Sequence, residues 1–169
     1  MDVPSMNGGV KHGLPPVARA DARLLLLGSL PGEASLAAAR YYAHPRNGFW
    51  RLMEQVTGVA LDALPYDERI ERLGERRVAL WDVVHAARRE GSLDGQMRAI
   101  EMRDLAAFVA GLPELRAIGF NGGTAARLGR RALGGAGLRL VDLPSSSPAY
   151  TLPLADKAAR WASLAAFLD

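Results

Sequence analysis

Four consecutive leucines, Leu24–Leu27, stop abruptly at Gly28. So short and so apolar a run, closed by a glycine, reads as a buried strand. Val78–Val84, Leu115–Phe120 and Leu138–Leu143 repeat the pattern, the last ended by Pro144. Helical spacing fills the gaps between them. Phe49–Val56 starts a helix that fades at Gly58, and a shorter helix is expected around Tyr66–Leu73. Met102, Leu105, Val109 and Leu112 recur at helical intervals before Pro113. A helix over 125–133 follows, and Trp161, Leu164, Ala165 and Leu168 give a last helix its apolar face. Strand then helix, four times over, predicts an α/β fold: a short, mostly parallel four-stranded sheet sandwiched between helices.

A chain of 169 residues fits a single domain. Residues 1–20 mix Gly, Pro and polar residues without periodicity, so a flexible leader is expected there, with one domain over 21–169 and order from Arg23. The stretch after Val84 reads as a long charged connection through Ser92 and Asp94. No apolar run approaches 18 residues, which excludes a membrane-spanning helix. Cysteine is absent, which excludes disulfides, thiolate zinc sites, iron–sulfur clusters and cysteine nucleophiles. Nineteen of the 21 basic residues are arginine, and the net charge is +3. That balance permits nucleic acid as a partner without demanding it. Only Lys11 and Lys157 could form a Schiff base, one in the leader and one in the last helix, both outside the segments singled out below.

In a parallel sheet, ligands bind beyond the carboxyl ends of the strands. Residues 28–50, 82–94, 121–124 and 144–150 fall there. The turn Gly28-Ser29-Leu30-Pro31-Gly32 is neither a Walker loop nor a dinucleotide fingerprint. Its amides could face an anion or a carbonyl oxygen; equally, it could be only a tight strand exit. Tyr41 through Trp50 holds two tyrosines, His44, Arg46, Asn47 and two further aromatics. Aromatics stack on bases, arginine pairs with phosphate, and His44 suits a phosphate contact or a structural donor. Phe49 and Trp50 read as core, and Asn47 competes as a helix cap. Asp82 puts a carboxylate inside an apolar strand, where a ligand N–H or a backbone turn must bond it. When ionised it accepts hydrogen bonds only. Asp94 reads as a turn or cap residue, and Thr124 as the cap of the helix after Asn121-Gly122-Gly123. Ser145, Ser146 and Ser147 are small donors able to reach phosphate oxygens, or else a solvated loop.

Together these segments resemble the uracil-DNA glycosylase superfamily, and within it the hypoxanthine-DNA glycosylase (deoxyinosine glycosylase) branch. The resemblance is carried by Gly28–Gly32 with Ser35-Leu36, Tyr41 through Trp50, and Ala79-Leu80-Trp81-Asp82-Val83 with Arg89. Gly91-Ser92-Leu93-Asp94, Phe120-Asn121-Gly122 and Leu143-Pro144-Ser145-Ser146-Ser147-Pro148 complete it, in order, over about residues 22–168. It implies base excision repair: flipping out a deaminated base, hypoxanthine or uracil, and hydrolysing its N-glycosidic bond without a lyase step.

Most of the superfamily acts on water through an Asp or Asn of the first motif, where this chain has Ser29-Leu30. In the hypoxanthine branch the catalytic asparagine lies in a Pro-Arg-Asn stretch, which carries over to Asn47. The stacking aromatic carries over to Tyr42, and Asp82 stands where a base-reading polar residue often does. The Gly28–Gly32 turn would contact the base. His44, Arg46 and the serine loop would grip DNA, although Leu143-Pro144 stands where the second motif often begins with histidine. The resemblance implies no metal or cofactor. The implied partner is double-stranded DNA, and single-stranded DNA as well, carrying a deaminated base; the protein would act as a cytoplasmic, nucleoid-associated monomer of bacterial type with no membrane partner. The alternative is a catalytically inactive α/β domain that binds nucleotides or nucleic acid.

Overall fold

The computed structural model describes residues 9–169. Along the chain the elements are β1 (Val10–His12), β2 (Leu24–Gly28), α1 (Glu33–Ala38), α2 (Phe49–Thr57), α3 (Tyr66–Glu75), β3 (Val78–Asp82), β4 (Val84–Arg88), β5 (Arg98–Met102), α4 (Leu105–Ala110), β6 (Ala117–Asn121), α5 (Gly123–Leu133), β7 (Arg139–Leu143) and α6 (Leu154–Trp161). The main sheet has the order β3-β2-β6-β7, and all its pairs are parallel. Gly28 lies opposite Asp82, and Asn121 opposite Leu143, so the strands finish together along one edge. From β2 the chain steps outward to β3, then crosses back over β2 to reach β6. Such a reversal leaves a crevice outside the carboxyl ends, here between β2 and β6.

The four leucines fill both faces of the sheet because side chains alternate along a strand. Leu24 and Leu26 pack in one layer with Phe49, Leu52 and Met53 of α2 and Trp161 of α6. Leu25 and Leu27 pack in the other with Leu105 of α4 and Ala125 and Leu128 of α5. All four are fully buried. Each such burial contributes about 1.5–3 kcal/mol, which holds the β2 exit, and so the Gly28 turn, in place.

Three expectations are corrected. Val78–Val84 is not one strand: it breaks at Val83 into β3 and β4. The charged connection after Val84 is instead a β4–β5 hairpin, joined by β1 into a second, antiparallel sheet of order β1-β4-β5. Every residue of β5 is exposed, so it carries no hydrophobic period. The leader is ordered well before Arg23. Residues 1–8 lie outside the described residues, but β1 pairs with β4, and Val17 exchanges both backbone hydrogen bonds with Leu80 at 2.9 and 2.8 Å. Leu14 is buried, and the Tyr41 hydroxyl donates to the carbonyl of Pro15 at 2.8 Å. This segment covers the open edge of β3, which an unpaired strand would otherwise leave bare.

Candidate active site

A cleft of about 470 Å³ opens at the switch point. Gly28–Gly32, Tyr42, His44, Asn47, Asp82 and Ser145–Ser147 all line it, so twelve of the thirteen residues singled out in the sequence meet there. Arg46 is exposed and does not line it. Volumes of about 300–1,000 Å³ are usual for small-molecule sites.

The Gly28 turn forms one wall. Arg89 lies behind it, 2% exposed, and donates to the carbonyls of Leu30 at 3.3 Å and Pro31 at 2.5 Å. Those bonds take up the carbonyls. No backbone carbonyl accepts from the N–H groups of Ser29, Leu30 and Gly32 among the described residues. Gly28 itself permits the closest approach in the site: a Cβ there would lie 2.7 Å from Asp82 Oδ1 and 3.3 Å from the Tyr42 hydroxyl. Ser29 Oγ donates to Asp94 Oδ1 at 2.6 Å, and Ser92 Oγ accepts from Glu33 N–H at 2.8 Å.

Asp82 ends β3 at 3% exposure, and its Oδ2 has no hydrogen-bond partner among the described residues. Burial pushes its carboxyl up to about 7, with Asp94 adding to the rise and Arg103 and Arg89 opposing it. Near neutral pH the group is therefore present in both forms. The purely accepting role expected of an ionised carboxylate widens to include donation from the acid form.

Tyr42 stacks on Phe49 with ring centroids 3.8 Å apart and planes 16° from parallel. Its backbone sits at φ 54°, and its carbonyl accepts from Trp50 Nε1 at 3.2 Å. Burial, then the nearby Asp82, raises its phenol well above the usual range. The phenol hydroxyl therefore stays neutral and accepts from Asn121 Nδ2 at 3.3 Å.

The serine loop is the opposite wall. Asn121, at the end of β6, donates to Ser146 Oγ at 2.9 Å and accepts from Ser146 N–H at 2.9 Å. Ser146 is 2% exposed, so it pins the loop rather than facing solvent. Its carbonyl accepts from Gly48 N–H at 3.0 Å, tying the loop to the start of α2. Gly122 turns at φ 100° beneath Ser145, whose Cβ would lie 3.2 Å from any side chain there. Lys157, expected to lie apart from the site, reaches this wall from behind: its ammonium donates to the Ser147 carbonyl at 3.1 Å, yet it does not line the cleft.

Asn47, expected to compete as the helix cap, is not the N-cap residue of α2. Gly48 occupies the cap position of α2, and Asn47 Oδ1, one residue earlier, accepts from Phe49 N–H at 3.0 Å. That bond engages Oδ1, while Nδ2 has two further N–H donors, and the residue lines the cleft. His44 Nδ1 accepts from Arg46 N–H at 3.1 Å, which places the proton of the neutral ring on Nε2. Thr124 is not the cap of α5; Gly122 holds that position. Among the described residues no group of three His, Asp or Glu side chains is placed to hold a metal ion.

Asp94 and Asn121 are the site residues that sequence reasoning passed over. Asp94 reads as a turn residue because its bond to Ser29 spans 65 positions. Asn121 does carry a usable signal: like Asp82, it is a polar residue closing an otherwise apolar strand.

Fold and cleft define an α/β protein with a cleft at the switch point of its parallel sheet. The chain belongs to the uracil DNA glycosylase superfamily, whose family model matches residues 15–167. It is 38% identical over 140 residues to a hypoxanthine DNA glycosylase of Methanosarcina acetivorans, covering 83% of this chain and 88% of that one. A hypoxanthine DNA glycosylase of Methanosarcina barkeri is 38% identical over 112 residues, covering 66% and 71%. A solution NMR structure from Methanosarcina acetivorans, provisionally named a uracil DNA glycosylase, superposes with a TM-score of 0.86 at 34% identity, covering 94% of this chain and 98% of that one. No helix among the described residues is long and apolar enough to cross a membrane.

Proposed function

We propose that the protein is a monomeric, monofunctional DNA glycosylase that flips hypoxanthine, and less readily uracil, out of DNA and hydrolyses its glycosidic bond. The observation that carries this reading is the pairing of Tyr42, stacked on Phe49, with the unpartnered carboxyl of Asp82 in one cleft. A braced aromatic offers a flat surface to a base, and a buried polar atom without a partner awaits one on the ligand. The choice of hypoxanthine rests on the two relatives that carry that name.

In this reading the base lies along Tyr42. Asp82 accepts from the ring N–H when ionised and can donate when protonated. The bond from the sugar carbon to the base nitrogen breaks, and its electron pair leaves with the base. Free N–H groups of the Gly28–Gly32 turn face the charge that builds on the departing ring, where pre-aimed donors count most. The sugar becomes oxocarbenium-like, so a weak nucleophile suffices if it is placed well. Asn47 Nδ2 holds a water by its oxygen, which bonds to the sugar carbon as the base leaves. One proton of that water passes to solvent, and the base takes one up. His44, Arg46, Ser145 and Ser147 contact backbone phosphates. No lyase step follows, because Lys11 pairs with Glu33 at 3.1 Å and the Lys157 ammonium is held behind the serine wall.

The test is a 5′-labelled duplex carrying a single inosine, uracil or xanthine, treated with protein and then alkali. Strand breakage at inosine, faster than at uracil, is expected. Tight binding of inosine DNA with no breakage would replace the enzyme with a non-catalytic binder.

A further inference from the structure

Two cationic side chains are buried among the described residues, and they differ in their company. Arg89 is 2% exposed and Lys157 4% exposed. Burial lowers the pKa of both. Around Arg89 the carboxylates of Asp94, Glu33 and Asp82 oppose that effect; around Lys157 no neighbouring charge does. Lys157 forms no ion pair among the described residues. A buried charge is costly unless an opposite charge meets it. An ammonium also has three N–H donors to satisfy. Among the described residues this one has a single acceptor, the Ser147 carbonyl at 3.1 Å, with the centroid of the Tyr150 ring 5.4 Å away.

The carbonyl does not require the lysine. It already accepts from Tyr150 N–H at 3.1 Å, which closes the turn from Ser147 to Tyr150. A neutral side chain of similar volume would fill the same space, and replacing buried ionic groups by apolar ones is often neutral or stabilising. Packing therefore gives no reason for a charge here. The cleft does. Ser147 and Tyr150, the two residues against the ammonium, both line it. Residues 144–150 carry no charge of their own, so an anion on this wall would meet neutral donors in front and one positive charge behind them. With protein rather than water between the two charges, their attraction is weakly screened.

We propose that Lys157 is the buried counter-charge for a DNA backbone phosphate seated on the serine wall, acting as a positioning residue through the turn from Ser147 to Tyr150 without touching the phosphate. This rests on the glycosylase reading of the cleft. The lone ammonium is disfavoured in the free protein and is relieved when the phosphate arrives. Its charge thus contributes to binding rather than to folding.

The test uses a duplex with a tetrahydrofuran abasic analogue, which cannot be excised. The phosphates flanking it are replaced one at a time by neutral methylphosphonate. In wild type one replacement should weaken binding about tenfold. Lys157→Met should bind the unmodified duplex about tenfold more weakly and lose most of the effect of that replacement. Its slope of log Kd against log salt should flatten by about 1, and it should melt no lower than wild type. Lys157→Gln, which keeps a donor for the carbonyl but no charge, should match it in binding. The proposal is overturned if the replacement weakens the variants as much as wild type, if the salt slope is unchanged, or if Lys157→Gln binds like wild type. A lower melting temperature in Lys157→Met would make the ammonium a prop of the fold and overturn it too. A wild-type protein that leaves an inosine duplex intact refutes the glycosylase reading, whereas one that cleaves it yet shows no coupling between Lys157 and a phosphate refutes only the counter-charge.

Discussion

Replacing Asp82 by asparagine changes how stability depends on pH, by an amount that follows from its burial. The carboxyl is 3% exposed, its Oδ2 is unpartnered, and its pKa rises from 3.8 to about 7 in the folded protein. Between those values the folded chain keeps a proton that the unfolded chain has lost, so stability falls as pH rises through that window. A rise of about three units corresponds to about 4 kcal/mol, absent below pH 4 and complete above pH 7. Asparagine keeps the shape but cannot ionise. Its unpartnered amide adds a cost of about 1–3 kcal/mol that does not vary with pH. The difference in stability between variant and wild type should therefore swing by about 4 kcal/mol from pH 4 to pH 8, whatever its starting value. For a chain of this length that is a relative Tm swing of about 8–16 °C in favour of the variant. Parallel melting curves at pH 4, 5, 6, 7 and 8 measure it directly. A flat difference would mean that Asp82 ionises in the folded protein as easily as in the unfolded chain, and the reasoning from burial would fail.

Three further outcomes follow from the same geometry. Tyr42→Ala should slow excision by about 5- to 150-fold, the worth of about 1–3 kcal/mol of stacking, whereas Tyr42→Phe keeps the ring over Phe49 and should stay within about fivefold of wild type in single-turnover rate. Arg89→Met leaves the Leu30 and Pro31 carbonyls without their donor, which should cost about 1–3 kcal/mol for each in urea denaturation and should loosen the wall that carries the N–H groups. Borohydride added during excision should trap no covalent protein–DNA adduct; an adduct lost in Lys157→Met would make that amine a nucleophile and contradict a monofunctional enzyme.

The main sheet was legible because three of its strands are short, mostly apolar runs and the fourth, β7, ends at Pro144; the register then forces Gly28, Asp82 and Asn121 to one edge. The second sheet was hidden. Every residue of β5 is exposed, and β1 is three residues long, so neither strand shows a periodic burial signal. The site was legible as a set of unusual segments, but its internal wiring was not. The bonds Ser29–Asp94 and Asn121–Ser146 join residues 65 and 25 positions apart, and no local spacing announces them. Asn47 reads as a cap from its place before an apolar helix, but the cap position falls one residue later, at Gly48, and the Asn47 side chain accepts from Phe49 N–H instead.

The proposed mechanism gives Asn47 the water-holding role, and that assignment is its most exposed claim. Single-turnover excision from an inosine duplex, measured beside a melting curve of the same Asn47→Ala variant, separates its two roles. The rate should be lower by about two to four orders of magnitude, the scale of one lost oriented donor. Stability should fall by only about 1 kcal/mol, the worth of its bond to the start of α2. Near-normal excision with that same stability loss would leave Asn47 only its bond to the start of α2 and refute its role in holding the water.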